Sequence, residues 1–324
     1  MLLNSTKMML NNVMMIGVIM TICSNNWMSM WMGLEMSMMA FIPMIQNFNQ
    51  LSSESMIKYF IIQSIASTLF LFGIISMLIG VNTKNELLML MSMLIKLGMA
   101  PFHNWMLMII QYINYSEMFI LLTVMKIAPI SIMHQIQSNM MIIPIAMSMI
   151  ISSISCMNQS SMRKIMAWSS IYSVSMMMIS INNMSIPMTY MLVYSMMLMM
   201  ILFLANKLKI NYINQMVFNE YSLWIKMTVW FNMLSLGGFP PTMGFIIKVM
   251  IIQSLMTQQE FILSAILMMT SLLTMLFYIR LTFNSMLIMS THMKWTKTSY
   301  NSINSIMVIN FTLPPMIMSM NNII

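Results

Sequence analysis

Charge is scarce in this chain. Only 6% of its 324 residues are Asp, Glu, Lys or Arg, against roughly a quarter in ordinary soluble domains, and 60% are hydrophobic. A water-soluble fold is therefore excluded. Apolar runs of about 20 residues recur between short polar gaps, which is the length that a helix needs to cross a bilayer. The sequence predicts a polytopic membrane protein, because no gap has room for a soluble domain.

Aspartate is absent, and the six acidic residues are all Glu, whereas Met occurs 57 times. Packing does not explain this bias, because Leu or Ile fills a lipid-facing helix as well as Met does. Our hypothesis is an AT-rich organellar genome in which an additional codon is read as Met. A gene written in the standard nuclear code would contradict this hypothesis.

Motifs for cofactors and metals are also missing. Cys23 and Cys156 stand alone in apolar runs, and the chain has no CxxC pair, phosphate loop, dinucleotide loop, HExxH motif or paired His for haem. We therefore expect no catalytic, cofactor-binding or metal-ligating residue, so that energy comes from an ion gradient or a partner. The net charge of +8 sits at helix ends rather than in one stripe, which does not favour a nucleic-acid partner.

Hydropathy predicts an all-α integral membrane fold with eleven transmembrane helices. Nine of the spans are typical of simple helices. The predicted spans are 8–24, 27–45, 56–79, 86–112, 115–135, 139–157, 161–181, 187–206, 222–255, 259–283 and 303–321.

The two remaining spans are predicted to be broken helices. The span 222–255 is too long for one straight crossing at about 1.5 Å per residue, and 86–112 contains a milder interruption. The helix-breaking residues are Gly98 and Pro101 in the earlier span and Gly237, Gly238, Pro240 and Pro241 in the later one. Irregular backbone at membrane depth is tolerated only where protein or a wet cavity satisfies it, so the paired breaks indicate a candidate transport site.

The basic residues predict an orientation. Ten of them would lie on the side of the N-terminus, and Lys84 alone would lie on the opposite side. By the positive-inside rule the N-terminus then faces the compartment of synthesis, and an odd number of spans places the C-terminus across the membrane. The ten are Lys7, Lys58, Arg163, Lys164, Lys207, Lys209, Lys226, Arg280, Lys294 and Lys297.

Four ionisable residues fall well inside predicted spans, namely Glu35, Lys96, Lys126 and Lys248. Unpaired and facing lipid, each would cost about 2.5–3.5 kcal/mol, or on the order of 10 kcal/mol together. One interpretation is that each reaches an interface or completes a structural ion pair. We favour a functional interpretation of the set, because Glu35 and Lys126 lie deep in their helices and the other two flank the breaks.

Such a set can relay protons. Burial disfavours a charged amine and a nearby carboxylate favours it, so a moving Glu35 would switch Lys96 between holding and releasing a proton. His103 and His134 are candidates to extend the relay, although a hydrogen-bonded structural histidine explains each equally well. Glu117, two residues into its span, is expected at the surface.

Five segments support a family resemblance. They are WMGLEMSMMAFIPMI (31–45), KLGMAPFHNW (96–105), LLTVMKIAPISIM (121–133), the weaker MRKIMAWSSIYSVSMMM (162–178) and LSLGGFPPTMGFIIKVMIIQSL (234–255). In type and order they resemble the NADH-ubiquinone oxidoreductase chain 2 family, the mitochondrially encoded antiporter-like subunits of respiratory complex I. The resemblance implies a single polytopic membrane domain over 1–324, with an antiporter-like core over about 27–283 and a C-terminal helix over about 303–321.

The resemblance also implies roles and a topology. Glu35 matches the carboxylate paired with Lys96 of the first broken helix, Lys126 matches a connecting lysine, and Lys248 matches the lysine of the second broken helix. The N-terminus would face the mitochondrial matrix and the C-terminus the intermembrane space, which agrees with the count of basic residues.

The function implied by the resemblance is that of a core membrane-arm subunit of the proton-pumping NADH:ubiquinone oxidoreductase of the mitochondrial inner membrane. Its partners would be the other membrane-arm subunits and the lipid bilayer, with FMN, iron-sulfur clusters and ubiquinone in other subunits. Two alternatives stay open. One is a free-standing cation/proton antiporter, and the other is a structural subunit without conduction.

Overall fold

The computed structural model describes residues 5–46, 50–80, 85–136, 138–218, 223–240 and 242–287. These ranges are helical apart from their connections, one 3-10 turn at Asn139–Met141 and one isolated bridge between Ser161 and Tyr212. Among them, six helices are long and apolar enough to cross a membrane. The prediction of an all-helical, multi-pass membrane protein is thereby confirmed.

The chain divides into two compact units, and the first comprises Met1–Ser148 with Ile181–Met184. Seven described helices lie entirely within it. They are α1 (Ser5–Cys23), α2 (Trp27–Ile45), α3 (Gln50–Leu78), α4 (Asn85–Leu97), α5 (Asn104–Ile110), α6 (Tyr115–Leu122) and α7 (Val124–Ile136).

The second unit comprises Met149–Ser180 with Ser185–Ile324. Helix α8 (Ile142–Met157) runs from the first unit into the second. The remaining described helices are α9 (Met162–Ile179), α10 (Ser185–Leu208), α11 (Ile213–Phe218), α12 (Leu223–Gly237), α13 (Met243–Thr257) and α14 (Phe261–Leu287).

Small residues bring α1 and α2 into close contact. A Cβ atom added at Gly33 would lie 2.6 Å from Thr21 Cγ2 and 2.8 Å from the Gly17 carbonyl oxygen, and one added at Gly17 would lie 2.8 Å from the Ser37 nitrogen. In each helix a small residue follows the glycine by four positions: Thr21 follows Gly17 in α1, and Ser37 follows Gly33 in α2. In a membrane this spacing lets two backbones pack tightly without a hydrophobic driving force.

Aromatic contacts link α2, α3 and α5 in the first unit. The ring centroids of Phe41 and Tyr59 lie 5.3 Å apart in an edge-on arrangement, and those of Tyr59 and Trp105 lie 6.0 Å apart. Edge-to-face and tilted geometries at this distance are favourable for aromatic pairs. Tyr59, whose side chain is buried, therefore contacts an aromatic ring on each of the other two helices.

Helix α9 is the most enclosed element of the second unit. Nearly every side chain along it is buried, including polar ones such as Ser170, Ser173 and Ser175. It contacts α10 and α13. A helix that is buried all round can place polar side chains away from lipid, and α9 does so on several faces.

Several sequence predictions need correction or lie outside the described residues. The predicted span 115–135 corresponds to one stretch, Tyr115–Ile136, that is long and apolar enough to cross a membrane; a local turn at Thr123, with φ −118° and ψ −73°, lies between α6 and α7 within it. The short helix α11 was not predicted. Pro241, Lys84, Lys294, Lys297 and the predicted helix 303–321 lie outside the described residues.

Candidate functional site

The first interruption follows helix α4. Gly98 has φ +68°, its N–H donates to the Ile95 carbonyl at 3.1 Å, and the Met99 N–H donates to the Leu94 carbonyl at 3.1 Å. This pair of bonds, with a left-handed residue just past the helix, is the Schellman ending that glycine favours. The Trp105 indole N–H donates to the same Ile95 carbonyl at 3.0 Å and so helps to satisfy the helix end.

The second interruption, after α12, has the same backbone design. Gly238 has φ +73°, its N–H donates to the Ser235 carbonyl at 3.2 Å, and the Phe239 N–H donates to the Leu234 carbonyl at 3.1 Å. A Cβ atom at Gly244, in the first turn of α13, would collide with the Ser235 carbonyl oxygen. The chain therefore returns closely against the end of α12, which requires glycine at both positions.

Lys248 is held at this second interruption. Its Nζ donates to the carbonyl oxygen of Gly237, the last residue of α12, at 2.7 Å. Carbonyls at a helix C-terminus carry partial negative charge, so this end of α12 attracts the amino group. The Nζ also lies 6.0 Å from the ring centroid of Tyr172 on α9. The side chain is therefore buried against α12 and α9 and does not extend into lipid.

A cavity of about 20 Å³ in the first unit brings two predicted residues together, because Lys96 and Lys126 both line it. Both side chains are buried, Lys126 to the greater extent. Because a water molecule needs about 10–15 Å³, the cavity has space for about one or two waters. The other lining residues are Leu34, Ser37, Met38, Tyr59, Gln63, Trp105, Met106, Leu121, Met125 and Pro129.

Glu35 lies beside this cavity on α2. It attracts Lys96 electrostatically, although within the described residues the two form no direct ion pair. Leu34 and Ser37, its near neighbours on α2, line the cavity, whereas Glu35 is half-exposed. The structure therefore places the carboxylate near Lys96 without forming a closed pair.

Two polar residues of this cavity were missed by sequence analysis. Tyr59 and Gln63 stand four positions apart on α3, and both are buried. In the described part of the chain, neither the Tyr59 hydroxyl nor the Gln63 amide has a hydrogen-bonding partner. Polar residues spaced by four in an apolar helix share one face, and that spacing is the signal that could have found them.

A second cavity, of about 30 Å³, lies beside Lys248 in the second unit. It has space for about two or three waters. Hydroxyl groups dominate its polar lining, and no Asp or Glu of the described residues contributes to it. The lining residues are Ser152, Cys156, Trp168, Ser169, Tyr172, Ser173, Tyr190, Tyr194, Met197, Leu236, Gly244, Ile247, Lys248, Thr274 and Tyr278.

The two candidate histidines occupy different settings. His103 stands in the connection immediately before α5 and is half-buried, and it does not line the cavity of Lys96. His134 lies in the last turn of α7, where its Nδ1 donates to the Ile181 carbonyl oxygen at 2.6 Å. This bond fixes the orientation of the His134 ring. Pro101 lies in the connection between α4 and α5, and Pro240 in that between α12 and α13.

Glu117 is not at the surface, so that prediction was wrong. Its side chain is 2% exposed and its Oε1 lies 2.7 Å from Lys7 Nζ of α1. It also closes a capping box with Asn114 at the start of α6. Sequence position suggested exposure because the residue begins a helix, but the folded unit encloses it and Lys7 of α1 supplies the opposite charge.

Comparison with known proteins identifies relatives over most of the chain. The family described as "NADH:quinone oxidoreductase/Mrp antiporter, TM" matches residues 24–274. NADH-ubiquinone oxidoreductase chain 2 of Anopheles gambiae is 36% identical over 314 residues, which cover 91% of this chain and 92% of the relative.

Solved structures share the fold at low sequence identity. A chain of respiratory complex I from Thermus thermophilus, solved with bound aureothin, matches with a TM-score of 0.79 and 17% identity, covering 87% of this chain and 71% of that one. A chain of the Mrp complex from a Dietzia species matches with a TM-score of 0.75 and 14% identity, covering 84% and 59%. These likenesses show a common antiporter-like membrane fold.

Proposed function

This chain belongs to the NADH-ubiquinone oxidoreductase chain 2 family, and we propose from that premise that it is a membrane-arm subunit of the mitochondrial proton-pumping NADH:ubiquinone oxidoreductase. Its contribution is proton translocation. The observation that best supports this role is the shared cavity of Lys96 and Lys126, two buried amines beside a space large enough for water. Buried amines that share a wet space can exchange a proton without facing lipid.

Within this proposal each ionisable residue has a role. Glu35 adjusts the proton affinity of Lys96 through its attraction, which strengthens or weakens as the distance between them changes. Lys126 exchanges the proton with Lys96 through the cavity. Lys248 performs the corresponding step in the second unit, at the end of α12.

The energetics permit such a relay. Moving one charge across 100 mV requires about 2.3 kcal/mol. A change of about two units in the pKa of a relay group, at about 1.36 kcal/mol for each pKa unit, supplies this amount. His103 and His134 are proposed as secondary members that extend the path toward the membrane surfaces.

The redox chemistry is assigned to other subunits. The proposal places FMN, the iron-sulfur clusters and ubiquinone outside this chain, with other membrane-arm subunits and lipid as its immediate partners. Large apolar side chains exposed on α1 and α14 support such contacts; they include Met9, Ile19, Ile262 and Met269. Nucleic acid has no role in the proposal.

The proposed topology has eleven spans in the inner membrane, with the N-terminus in the matrix and the C-terminus in the intermembrane space. Each interrupted pair, α4 with α5 and α12 with α13, is counted as one broken span. The near-identical glycine endings after α4 and α12 support this count. The excess of basic residues on the side of the N-terminus supports the orientation.

A free-standing cation/proton antiporter is the second candidate, favoured by the structural likeness to the Mrp complex. Oxygen ligands, usually with carboxylates among them, bind hard cations. Neither described cavity has a carboxylate in its lining, while both contain lysine. This lining favours protons over metal cations as the transported species.

Purification from mild detergent tests the assignment to a complex. We expect the chain to migrate with NADH dehydrogenase activity in one high-mass band. Migration alone, with no such activity in its band, would contradict the assignment and favour the antiporter.

Substitution of the buried lysine tests the transport role within the assembled complex. Lys126→Met is expected to preserve assembly and to abolish proton pumping into liposomes. The exposed Lys58→Met, which breaks an i,i+4 pair with Glu54, is the matched control and is expected to pump normally. Normal pumping by Lys126→Met would favour a structural subunit without conduction.

A further inference from the structure

Three tyrosine hydroxyls of the second unit are buried without a hydrogen-bonding partner among the described residues. They belong to Tyr172 on α9, Tyr194 on α10 and Tyr278 on α14, and all three side chains are at least nine-tenths buried. A buried hydroxyl without a partner is destabilising, so its presence needs an explanation. All three residues line the cavity beside Lys248.

The same cavity also contains hydroxyl oxygens that can accept hydrogen bonds. The hydroxyls of Ser169, Ser173 and Thr274 donate to backbone carbonyls three residues earlier, at 2.8, 2.9 and 2.9 Å respectively. Their donors are therefore occupied, whereas their oxygen lone pairs can still accept. Such oxygens stabilise a donor such as an ammonium group, water or protonated water.

The tyrosine hydroxyls stand close to these acceptors. Tyr194 is near Ser169 and Ser173, and Tyr278 is near Ser169, yet none of these neighbours meets hydrogen-bond geometry with its tyrosine. The space between them is part of a cavity with room for about two or three waters. Water is the group of suitable size that both donates to the serines and accepts from the tyrosines.

We infer that this cavity is a water-binding site and that its tyrosine hydroxyls are proton-relay groups for Lys248. The inference rests on the proposed function, and it adds the residues that connect Lys248 to its surroundings. No carboxylate of the described residues lines the site, so hydroxyls and water are its means of moving a proton.

The proton step conserves atoms and charge. The Lys248 ammonium gives one proton to a water oxygen, and that water gives another of its protons to a tyrosine oxygen. The tyrosine then releases its own hydroxyl proton to the next water. Lys248 is left as a neutral amine that can accept the next proton, and each intermediate group ends with the number of hydrogens it began with.

The test replaces hydroxyls while keeping the aromatic rings. Tyr194→Phe, Tyr278→Phe and the double variant are introduced into the full complex, which is purified and reconstituted into liposomes. Protons pumped for each NADH oxidised are measured, together with uncoupled NADH oxidation, assembly and thermal stability. Tyr212→Phe, which makes the same change at an exposed position of the same unit outside the cavity, is the matched control.

We expect the double variant to pump about tenfold more slowly, less than the ~10²–10⁴-fold effect of a group that transfers protons directly, because water partly replaces a lost hydroxyl. We expect a larger solvent deuterium isotope effect on its pumping. Assembly and thermal stability should be unchanged or raised, since the lost hydroxyls have no described protein partner. Tyr212→Phe should pump at the unaltered rate.

The outcomes separate this inference from the proposed function. Normal pumping by the double variant, with pumping abolished in Lys248→Met, would overturn the hydroxyl relay and leave the proposed function standing. Normal pumping by Lys248→Met would overturn the role of Lys248 itself. Loss of assembly in the tyrosine variants would also contradict the inference, because it would show that the hydroxyls stabilise the fold.

Discussion

Lys7 of α1 and Glu117 of α6 form an ion pair, with Nζ 2.7 Å from Oε1. The carboxylate is enclosed, whereas the lysine is 43% exposed. Glu117 also stabilises the start of α6, both through the capping box with Asn114 and through its charge at a helix N-terminus. One carboxylate therefore orients α6 and ties it to α1.

Breaking this pair should destabilise the first unit. We expect Lys7→Met to lower the free energy of unfolding by about 1–2 kcal/mol, less than the ~3–5 kcal/mol for a fully buried pair because Lys7 is 43% exposed. Adding Glu117→Gln should recover part of the loss, since the uncompensated charge is removed. Thermal unfolding of the purified complex measures the stability of the single and the double variant. Equal stability of Lys7→Met and the unaltered chain would contradict the prediction.

Glu35→Gln should lower coupled turnover while assembly persists. The amide keeps the shape of the side chain but removes the charge that attracts Lys96. Proton pumping for each NADH oxidised, measured in liposomes, is the readout. Glu54→Gln, at an exposed position on α3, is the control and should leave turnover unchanged. Equal coupled turnover in the two variants would show that Glu35 has no role in the relay.

Gln63→Leu should slow pumping without loss of stability. Its amide lines the cavity of Lys96 and Lys126, and in the described part of the chain it has no protein hydrogen bond to lose. We expect a decrease between about twofold and tenfold, below the ~10²–10⁴-fold effect of a direct proton-transfer group. Gln253→Leu, at an exposed position of α13, serves as the control. A stability loss with normal pumping would indicate a purely structural amide.

Gly238→Ala should displace Lys248. A Cβ atom there would lie 2.8 Å from Lys248 Nζ and 2.7 Å from its Cε, and φ +73° adds backbone strain of about 1–2 kcal/mol. Gly80→Ala is the matched control, since Gly80 has φ +81° but open space around it. Both variants should lose stability, but only Gly238→Ala should also lose pumping. Equal pumping in the two variants would show that the position of Lys248 is unimportant.

Local backbone chemistry made the helix ends after α4 and α12 predictable. Gly98 and Gly238 stand near prolines inside apolar runs, and those residue types end helices whatever surrounds them. The hydroxyl groups were not predictable in the same way, because Ser and Thr recur throughout the chain. Their spacing was informative, since Tyr190 and Tyr194 are four positions apart on α10 and Thr274 and Tyr278 are four positions apart on α14. Only the structure shows that these faces meet in one cavity.

The sequence by itself determined that the protein is helical, lies in a membrane and carries lysines next to two glycine-proline interruptions, because hydropathy and backbone preference act over a few neighbouring residues. The tertiary structure decided which side chains meet. Lys96 and Lys126 are 30 positions apart, yet they line one space because α4 packs against α7. Glu117 is enclosed and paired with Lys7, although the two residues are far apart in the sequence. Such meetings depend on the relative rotation of whole helices, which no local pattern specifies.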